Sequence, residues 1–243
     1  MKKTVIIIPA RYSSTRLCGK LLMEVCARPV IQWVWEAAMK SKLASDVIIA
    51  TDDELIFNKA KEFGANVEMT SSEHKSGSDR ICEVAKRHKE FDYILNMQGD
   101  EPQITPEVID LAIKTLIDSD ADISTLVRQI TDEEQINNPN CVKCVFDDNF
   151  NALYFSRCPI PYERNAGEAK YHAHIGIYGY RRESLIKMTS TPQADLEKAE
   201  SLEQLRALKA GMKIKVALTK LNPIGIDTQQ DLDKFTKIVQ DSN

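Results

Sequence analysis

Three short runs, TVIIIP at 4–9, SDVIIAT at 45–51 and FDYILNM at 91–97, are dominated by apolar, largely β-branched residues. A strand covered on one face alternates apolar with polar residues. A near-continuous apolar run is the pattern of a strand covered on both faces. Segments of helical spacing separate these runs. In RPVIQWVWEAAMKSK, Val30, Ile31, Val34, Ala37 and Ala38 form one stripe. DELIFNKAKEFG reads as a helix stopped at Gly64, ANVEMT as a short strand, and GSDRICEVAKRH as a helix. TPEVIDLAIKTLID reads as a helix with Thr105 as N-cap and Pro106 at its first position. Strands alternating with helices in this way fold into a parallel sheet with helices on both faces.

The pattern changes after residue 120. ADISTLV, CVKCVFD, NALYFS, HAHIGIYGY and KIKVAL are strand-like, with fewer helices between them. ADLEKAESLEQLRALKAG reads as one helix ending at Gly211, PIPYERNAGEAK as a surface loop, and TQQDLDKFTKIV as a terminal helix opened by the pair Thr228 and Asp231. No repeat or flexible linker interrupts the chain. The expectation is one α/β domain over residues 1–243, with a mostly parallel mixed sheet flanked by helices and a smaller sheet region in the second half.

Composition narrows the function. The 243 residues are 43% hydrophobic and 28% charged, with a formal net charge of −4. That is an ordinary globular balance and argues against a general nucleic-acid surface. No apolar run approaches the roughly 18 residues that span a bilayer, and TVIIIPA is too short for a signal-peptide core. A cytoplasmic protein with no membrane partner is expected. The six cysteines are scattered, which disfavours a disulfide framework. Cys141 and Cys144 form a CxxC, but in a strand their side chains point to opposite faces, so ordinary cysteines are expected.

In an open parallel sheet, ligands bind beyond the carboxyl ends of the strands. The first strand is followed by Arg11, Ser13, Ser14, Arg16 and Lys20, the third long run by Gln98, Gly99, Asp100 and Glu101, and the last strand by Asp227 in NPIGIDTQQ. The dinucleotide fingerprint GxGxxG is absent. The GxxxxGK[ST] phosphate loop fails too, because Leu21 follows Lys20. A loop with three cations in place of glycines suits a triphosphate whose leaving pyrophosphate needs positive charge. The alternative is a solvated basic loop. Asp100 and Asp227 are hard carboxylates suited to Mg²⁺, or a turn residue and a residue beside a helix N-terminus. In HAHIGIYGY, His174, Gly176 and Tyr178 share one strand face, with His172 of the same parity. The alternative for His174 is a satisfied structural histidine.

IIIPARYSSTRLCGKLL resembles the RxxSxRxPxK signature of CMP-sugar-acid synthetases. ATDDE, MTSSEHKSGSDR, NMQGDEP, NPNCVKCVFD, ALYFSR, HIGIYGY, LEQLRAL and GIDTQQDL extend the resemblance almost end to end to the 3-deoxy-manno-octulosonate (Kdo) cytidylyltransferase family. One departure stands inside the signature: Cys18 occupies the usual proline position, where a fixed φ would stiffen the loop. The resemblance implies a single Rossmann-like nucleotidyltransferase domain, with a nucleotide-binding half at 1–120 and a sugar-acid-binding and dimerisation half at 121–243. It implies transfer of CMP from CTP to the anomeric hydroxyl of Kdo, with Mg²⁺ required, in a homodimer serving lipopolysaccharide synthesis. Arg11, Lys20 and Asp100 are then the catalytic candidates, and Asp100 and Asp227 the metal ligands. Pro9, Ala10, Arg11, Ser13, Ser14, Arg16, Lys20, Ser78 and Arg80 are the CTP candidates. Ser78 as a helix N-cap and Arg80 as a solvated first-turn residue are their alternatives. Gln98, Arg157, His174, Tyr178, Glu203 and Gln204 are the sugar-acid candidates. On a continuous helix Glu203 would fall between Leu196 and Ala199, at the edge of the apolar arc. A related acceptor, 8-amino-Kdo or a sialic acid, and a non-catalytic nucleotide-binding module are the competing readings.

Overall fold

A computed structural model of the 243-residue chain describes residues 2–13 and 17–241. The chain forms two compact units, one of residues 1–110 and 223–243 and the other of residues 111–222. The elements, in chain order, are β1 (Thr4–Ala10), β2 (Glu24–Val25), β3 (Arg28–Pro29), α1 (Val30–Ala38), β4 (Asp46–Thr51), α2 (Glu54–Glu62), β5 (Asn66–Met69), α3 (Gly77–Arg87), β6 (Tyr93–Asn96) and α4 (Pro106–Ile117). There follow β7 (Ile123–Ile130), α5 (Glu133–Asn137), β8 (Lys143–Phe146), β9 (Ala152–Ser156), β10 (Tyr171–Arg181), α6 (Arg182–Ser190), α7 (Asp195–Glu200), α8 (Gln204–Lys209), β11 (Ile214–Leu218) and α9 (Gln229–Asp241). The division between the units falls inside α4. The terminal segment with Asp227, placed in the second half by the sequence boundary at 120/121, belongs to the first unit.

In the first unit the strands run parallel in the order β6-β1-β4-β5. Every residue of β1 is buried, as its unbroken apolar run requires. The buried residues of α1 are Val30, Ile31, Val34 and Ala38, while Ala37 sits at the edge of the stripe. β2 and β3 form a small separate hairpin whose turn residues Cys26 and Ala27 both have positive φ, at 49° and 61°. Trp33 Nε1 donates to Val25 O of that hairpin at 3.1 Å, and the Trp33 ring meets Phe235 of α9 edge-on. Val25, Val30, Ile226, Leu232, Phe235 and Val239 close this satellite core. Thr228 and Asp231 cap α9 reciprocally: Thr228 Oγ1 donates to Asp231 Oδ2 at 2.7 Å and accepts from Asp231 N.

The second unit is mixed. β11 pairs parallel with β7, β7 antiparallel with β10, and β8 antiparallel with β9 and β10. The expected α/β class with a mixed sheet flanked by helices is the observed one. Two local expectations are corrected. The helix read continuously over ADLEKAESLEQLRALKAG is two helices, α7 and α8, because Ser201 takes a left-handed conformation (φ 50°) that ends the first. The strand β10 carries an irregularity: Ile175 pairs with Leu126 but Tyr178 with Thr125. Cys144 lies in β8 and is buried, while Cys141 precedes the strand and is partly exposed.

Candidate active site

The carboxyl ends of β1 and β6 and the N-terminus of α3 line a cavity of about 340 Å³, bordered by Pro9, Arg11, Ser13, Lys20, Ser76, Gly77 and Asp100 among others. The backbone approach is close. A Cβ on Gly99 would lie 3.2 Å from Pro9 O and 3.1 Å from the Ile31 side chain, so a larger residue would have to push the QGD turn or Ile31 away from β1 by a few tenths of an ångström. The N-cap of α3 is Ser76, whose hydroxyl accepts from Asp79 N at 3.1 Å. It is not Ser78, which is a buried residue of the helix itself. The first turn of this 11-residue helix presents the positive end of its dipole beside Lys75 and Arg11. Lys75 was missed from sequence, although it stands immediately before the cap in HKSGSDR.

Lys20 is the hub. It starts a single 3₁₀ turn (Lys20–Leu22) after Gly19, whose φ of 68° suits glycine. Its Nζ donates to Asp100 Oδ2 at 2.5 Å and to Asp227 Oδ1 at 2.9 Å. Burial pulls the ammonium pKa down, but the two carboxylates more than offset this and hold it above the ordinary lysine value. Asp100 and Asp227 come from segments joined by the backbone: Ile226 N donates to Asp100 O at 2.8 Å, and Ile224 N to Gln103 Oε1 at 2.7 Å. A third carboxyl, Glu101, has its Oε2 enclosed without a hydrogen-bond partner. Burial, reinforced by Asp100 and Asp227, pushes its pKa up to about 8, so it is largely protonated at neutral pH. Asp100 and Asp227 are, among the described residues, the carboxylates that pair with the ammonium. Among the described residues no cluster of three or more His, Cys, Asp or Glu has the geometry of a metal cage. The pair does fit a hard cation in chemistry. Both are oxygen donors, both already bind one cationic centre, and both retain solvent access for water or phosphate oxygens.

Arg11 Nη2 donates to His74 O at 2.6 Å, and its pKa is lowered first by burial and then by the nearby Arg80. Arg80 is fully buried, which excludes the solvated alternative. Its Nη2 lies 2.9 Å from Asp52 Oδ2, and its Nη1 donates to Thr70 Oγ1 at 2.5 Å. It thus braces α3 against the loops after β4 and β5. Pro9 and Ala10 are buried at the end of β1, Ser13 is exposed, and Ser78 and Arg80 do not line the cavity. Ser14 and Arg16 lie outside the described residues. Cys18 is exposed on the turn before Gly19. Gln98 borders the cavity, with its Nε2 3.5 Å from Asn96 Oδ1.

The remaining candidates lie in the second unit. Arg157 is heavily committed: Nε donates to Glu200 O at 2.6 Å, Nη1 to Pro139 O at 2.9 Å and Nη2 to Ser201 O at 3.3 Å. Three of its five donors therefore hold the turns at 139 and 200–201. His174 Nε2 lies 2.9 Å from Thr125 Oγ1, with Phe155 and Tyr178 at ring distances of 5.2 Å each. Thr125 has one hydroxyl proton, and Ile177 O, 2.8 Å away, takes it best. This arrangement puts the imidazole proton on Nε2 and leaves Nδ1 as an acceptor. Burial pushes the His174 pKa down to about 3, so the ring is neutral. The placement of Glu203 by one continuous helix is corrected. It precedes α8 as that helix's N-cap, and Leu196 belongs to α7 and is exposed. Gln204 is buried, and its Nε2 has no hydrogen-bond partner among the described residues.

The model of the family described as Cytidylyltransferase matches residues 5–214. The 3-deoxy-manno-octulosonate cytidylyltransferase of Fusobacterium nucleatum is 47% identical over 98% of this chain and 97% of that protein. That of Solibacter usitatus is 42% identical over 99% and 96%. A solved structure of CMP:2-keto-3-deoxy-manno-octonic acid synthetase complexed with CTP superposes with a TM-score of 0.96 at 39% identity, covering all of both chains. A glucose-1-phosphate thymidylyltransferase of Bacillus anthracis, described as putative, shares the fold at 14% identity, with a TM-score of 0.69. Matched along its whole length, the chain belongs to the 3-deoxy-manno-octulosonate cytidylyltransferase family.

Proposed function

We propose that this chain transfers the CMP moiety of CTP to the anomeric hydroxyl of 3-deoxy-manno-octulosonate, forming CMP-Kdo and releasing pyrophosphate. Family membership supports the substrate pair. The observation that carries the chemistry is the convergence of Lys20, Asp100 and Asp227 on one point at the cavity. In this reading the sugar hydroxyl attacks the α-phosphorus while the bond to the β-phosphate oxygen breaks. Arg11, Ser13 and the N-terminus of α3 bind the phosphates, Ser14 and Arg16 are assigned to the same phosphates, and Arg80 holds α3 in place. Lys20 opposes the charge that builds on the phosphoryl oxygens. Asp100 and Asp227 would hold Mg²⁺, which supplies Lewis-acid polarisation of phosphate oxygens and acidifies a hydroxyl. Gln98, Arg157, His174, Tyr178, Glu203 and Gln204 are assigned to the sugar acid. Arg157 offers its two remaining donors to the carboxylate, and Gln204 its buried amide to a hydroxyl. The protein is inferred to work as a cytoplasmic homodimer supplying lipopolysaccharide synthesis. Among the described residues no helix is long and apolar enough to cross a membrane.

The test is a pyrophosphate-release screen of each nucleoside triphosphate against Kdo, 8-amino-Kdo and sialic acid, in the presence of Mg²⁺. CTP with Kdo should turn over fastest, and faster turnover of another acid would reassign the acceptor. Asp100→Asn and Asp227→Asn should each nearly abolish turnover while far-UV circular dichroism stays unchanged. Near-normal turnover in either variant would remove the metal assignment.

A further inference from the structure

The Lys20 ammonium bridges the two carboxylates that would hold the metal. One nitrogen makes both ion pairs, and its side chain is only 10% exposed. The backbone of each aspartate is held by contacts other than those to Lys20. Asp100 is fixed by the QGD turn and by the bond from Ile226 N to its carbonyl, and Asp227 N lies 3.3 Å from the Asp231 carboxylate that caps α9. The ammonium therefore already neutralises half of the charge a divalent ion would meet, and it uses oxygen lone pairs that such an ion needs. The ammonium has three N–H groups, of which these two bonds use two. The cavity beside it is lined by Arg11, Ser13, Ser76 and Gly77.

We propose that Lys20 is a built-in counter-cation that competes with the divalent metal for Asp100 and Asp227. Metal then binds the free protein weakly, and binds well only once a nucleoside triphosphate has drawn the ammonium onto its phosphates. The inference rests on the metal role assigned to the two aspartates above. A triphosphate offers Lys20 several anionic oxygens in exchange for two carboxylate contacts, so moving the ammonium costs little when nucleotide is present and much when it is absent. The two ligands must then help each other equally: nucleotide raises metal affinity by the same factor by which metal raises nucleotide affinity. Free protein is also protected from unproductive cations, because its acidic pair is never left bare.

The experiment is calorimetric titration of Mn²⁺ into the wild type, Lys20→Met, Lys20→Arg and Asp227→Asn, each with and without a non-hydrolysable α,β-methylene analogue of CTP. Deleting the competitor removes two charge-assisted hydrogen bonds that metal would otherwise have to break. Lys20→Met without nucleotide should therefore bind Mn²⁺ about tenfold to a hundredfold more tightly than the wild type. Its enhancement by the analogue should be clearly smaller than the wild type's, what remains being the metal's own contact with the phosphates. Lys20→Arg keeps a cation and should stay weak without nucleotide. Thermal unfolding gives an independent readout. Lys20→Met should melt lower in chelator and recover with Mn²⁺, whereas the melting of the nucleotide-free wild type should barely respond. If Lys20→Met binds Mn²⁺ no better than the wild type while Asp227→Asn loses the nucleotide-dependent binding, the aspartates are the metal site and the competition is refuted. If no form binds Mn²⁺ at this pair, even with the analogue present, the metal reading itself fails. If Lys20→Met is too unstable to titrate, Lys20→Gln carries the same expectation.

Discussion

His174 gives the most quantitative prediction. Its ring lies between Phe155 and Tyr178 with Thr125 Oγ1 as the polar partner of Nε2 among the described residues, and burial accounts for its pKa of about 3. In the unfolded chain the imidazole titrates near its ordinary value of about 6.5. Above that value neither state binds the proton, and His174 costs nothing. Below it the unfolded state takes up a proton that the folded state refuses, so stability falls with pH until about pH 3. The slope is about 1.4 kcal/mol per pH unit. Between pH 6.5 and pH 5 the loss is therefore about 2 kcal/mol, which for a chain of this size lowers Tm by about 4–8 °C. His174→Gln keeps a donor for Thr125 and does not titrate. Every other group that titrates in this window, including His172, is common to both proteins and cancels in their difference. The assay is differential scanning fluorimetry of both proteins from pH 7.5 to pH 5. The wild type should lose about 4–8 °C more than the variant across the acid limb, with the curves parallel above pH 7. Parallel curves throughout would show that the imidazole protonates in place, and the neutral, acceptor-bearing His174 would be wrong.

Two further substitutions test the second unit. A Cβ on Gly179 would stand 2.5 Å from Ser124 Oγ, which itself donates to Ala112 O, so Gly179→Ala should cost about 1–3 kcal/mol in denaturant unfolding. Adding Ser124→Ala should recover part of that, and an unchanged midpoint for Gly179→Ala alone would contradict the packing. Arg157→Ala removes donors to three carbonyls. It should lower stability by about 1–3 kcal/mol, and raise KM for Kdo more than for CTP. An unchanged KM for Kdo would leave Arg157 with a structural role only.

How much was legible from sequence follows from the range of the forces involved. The strands of the first unit were readable because burial on both faces imposes one rule at every position, as in β1. The cap of α9 was readable because Thr228 and Asp231 satisfy each other within one turn. The break between α7 and α8 was not. Ser201 is no helix breaker by type, and its left-handed backbone sits where Glu200 and Ser201 hold Arg157 from far along the chain. Local propensity loses to such tertiary contacts. The irregularity in β10 escaped for the same reason: Thr125 on the neighbouring strand donates to Ile177 O, and no rule of alternation encodes a cross-strand hydroxyl.

The site shows the same division between residue type and residue state. Lys20, Asp100 and Asp227 were each recognisable as a kind of group at the end of a strand, and Asp52 stood in plain sight in ATDDE. Their pairing was not recognisable, because 80 and 207 positions separate Lys20 from its two partners. Pairing changes what each residue is before any substrate arrives. Two carboxylates alone would be a cation site with open lone pairs. With the ammonium between them, metal must first find Lys20 another partner. Arg80 makes the converse point. Sequence offered either a phosphate ligand or a solvated first-turn residue. The fold gives a fully buried guanidinium spent on Asp52 and Thr70, which positions α3 while Arg11 and Lys75 line the cavity with their charge. Of the described cations in the loop and at the head of α3, those that border the cavity are therefore the ones whose removal should weaken nucleotide binding directly. Loss of Arg80 should act through the fold of the α3 terminus instead.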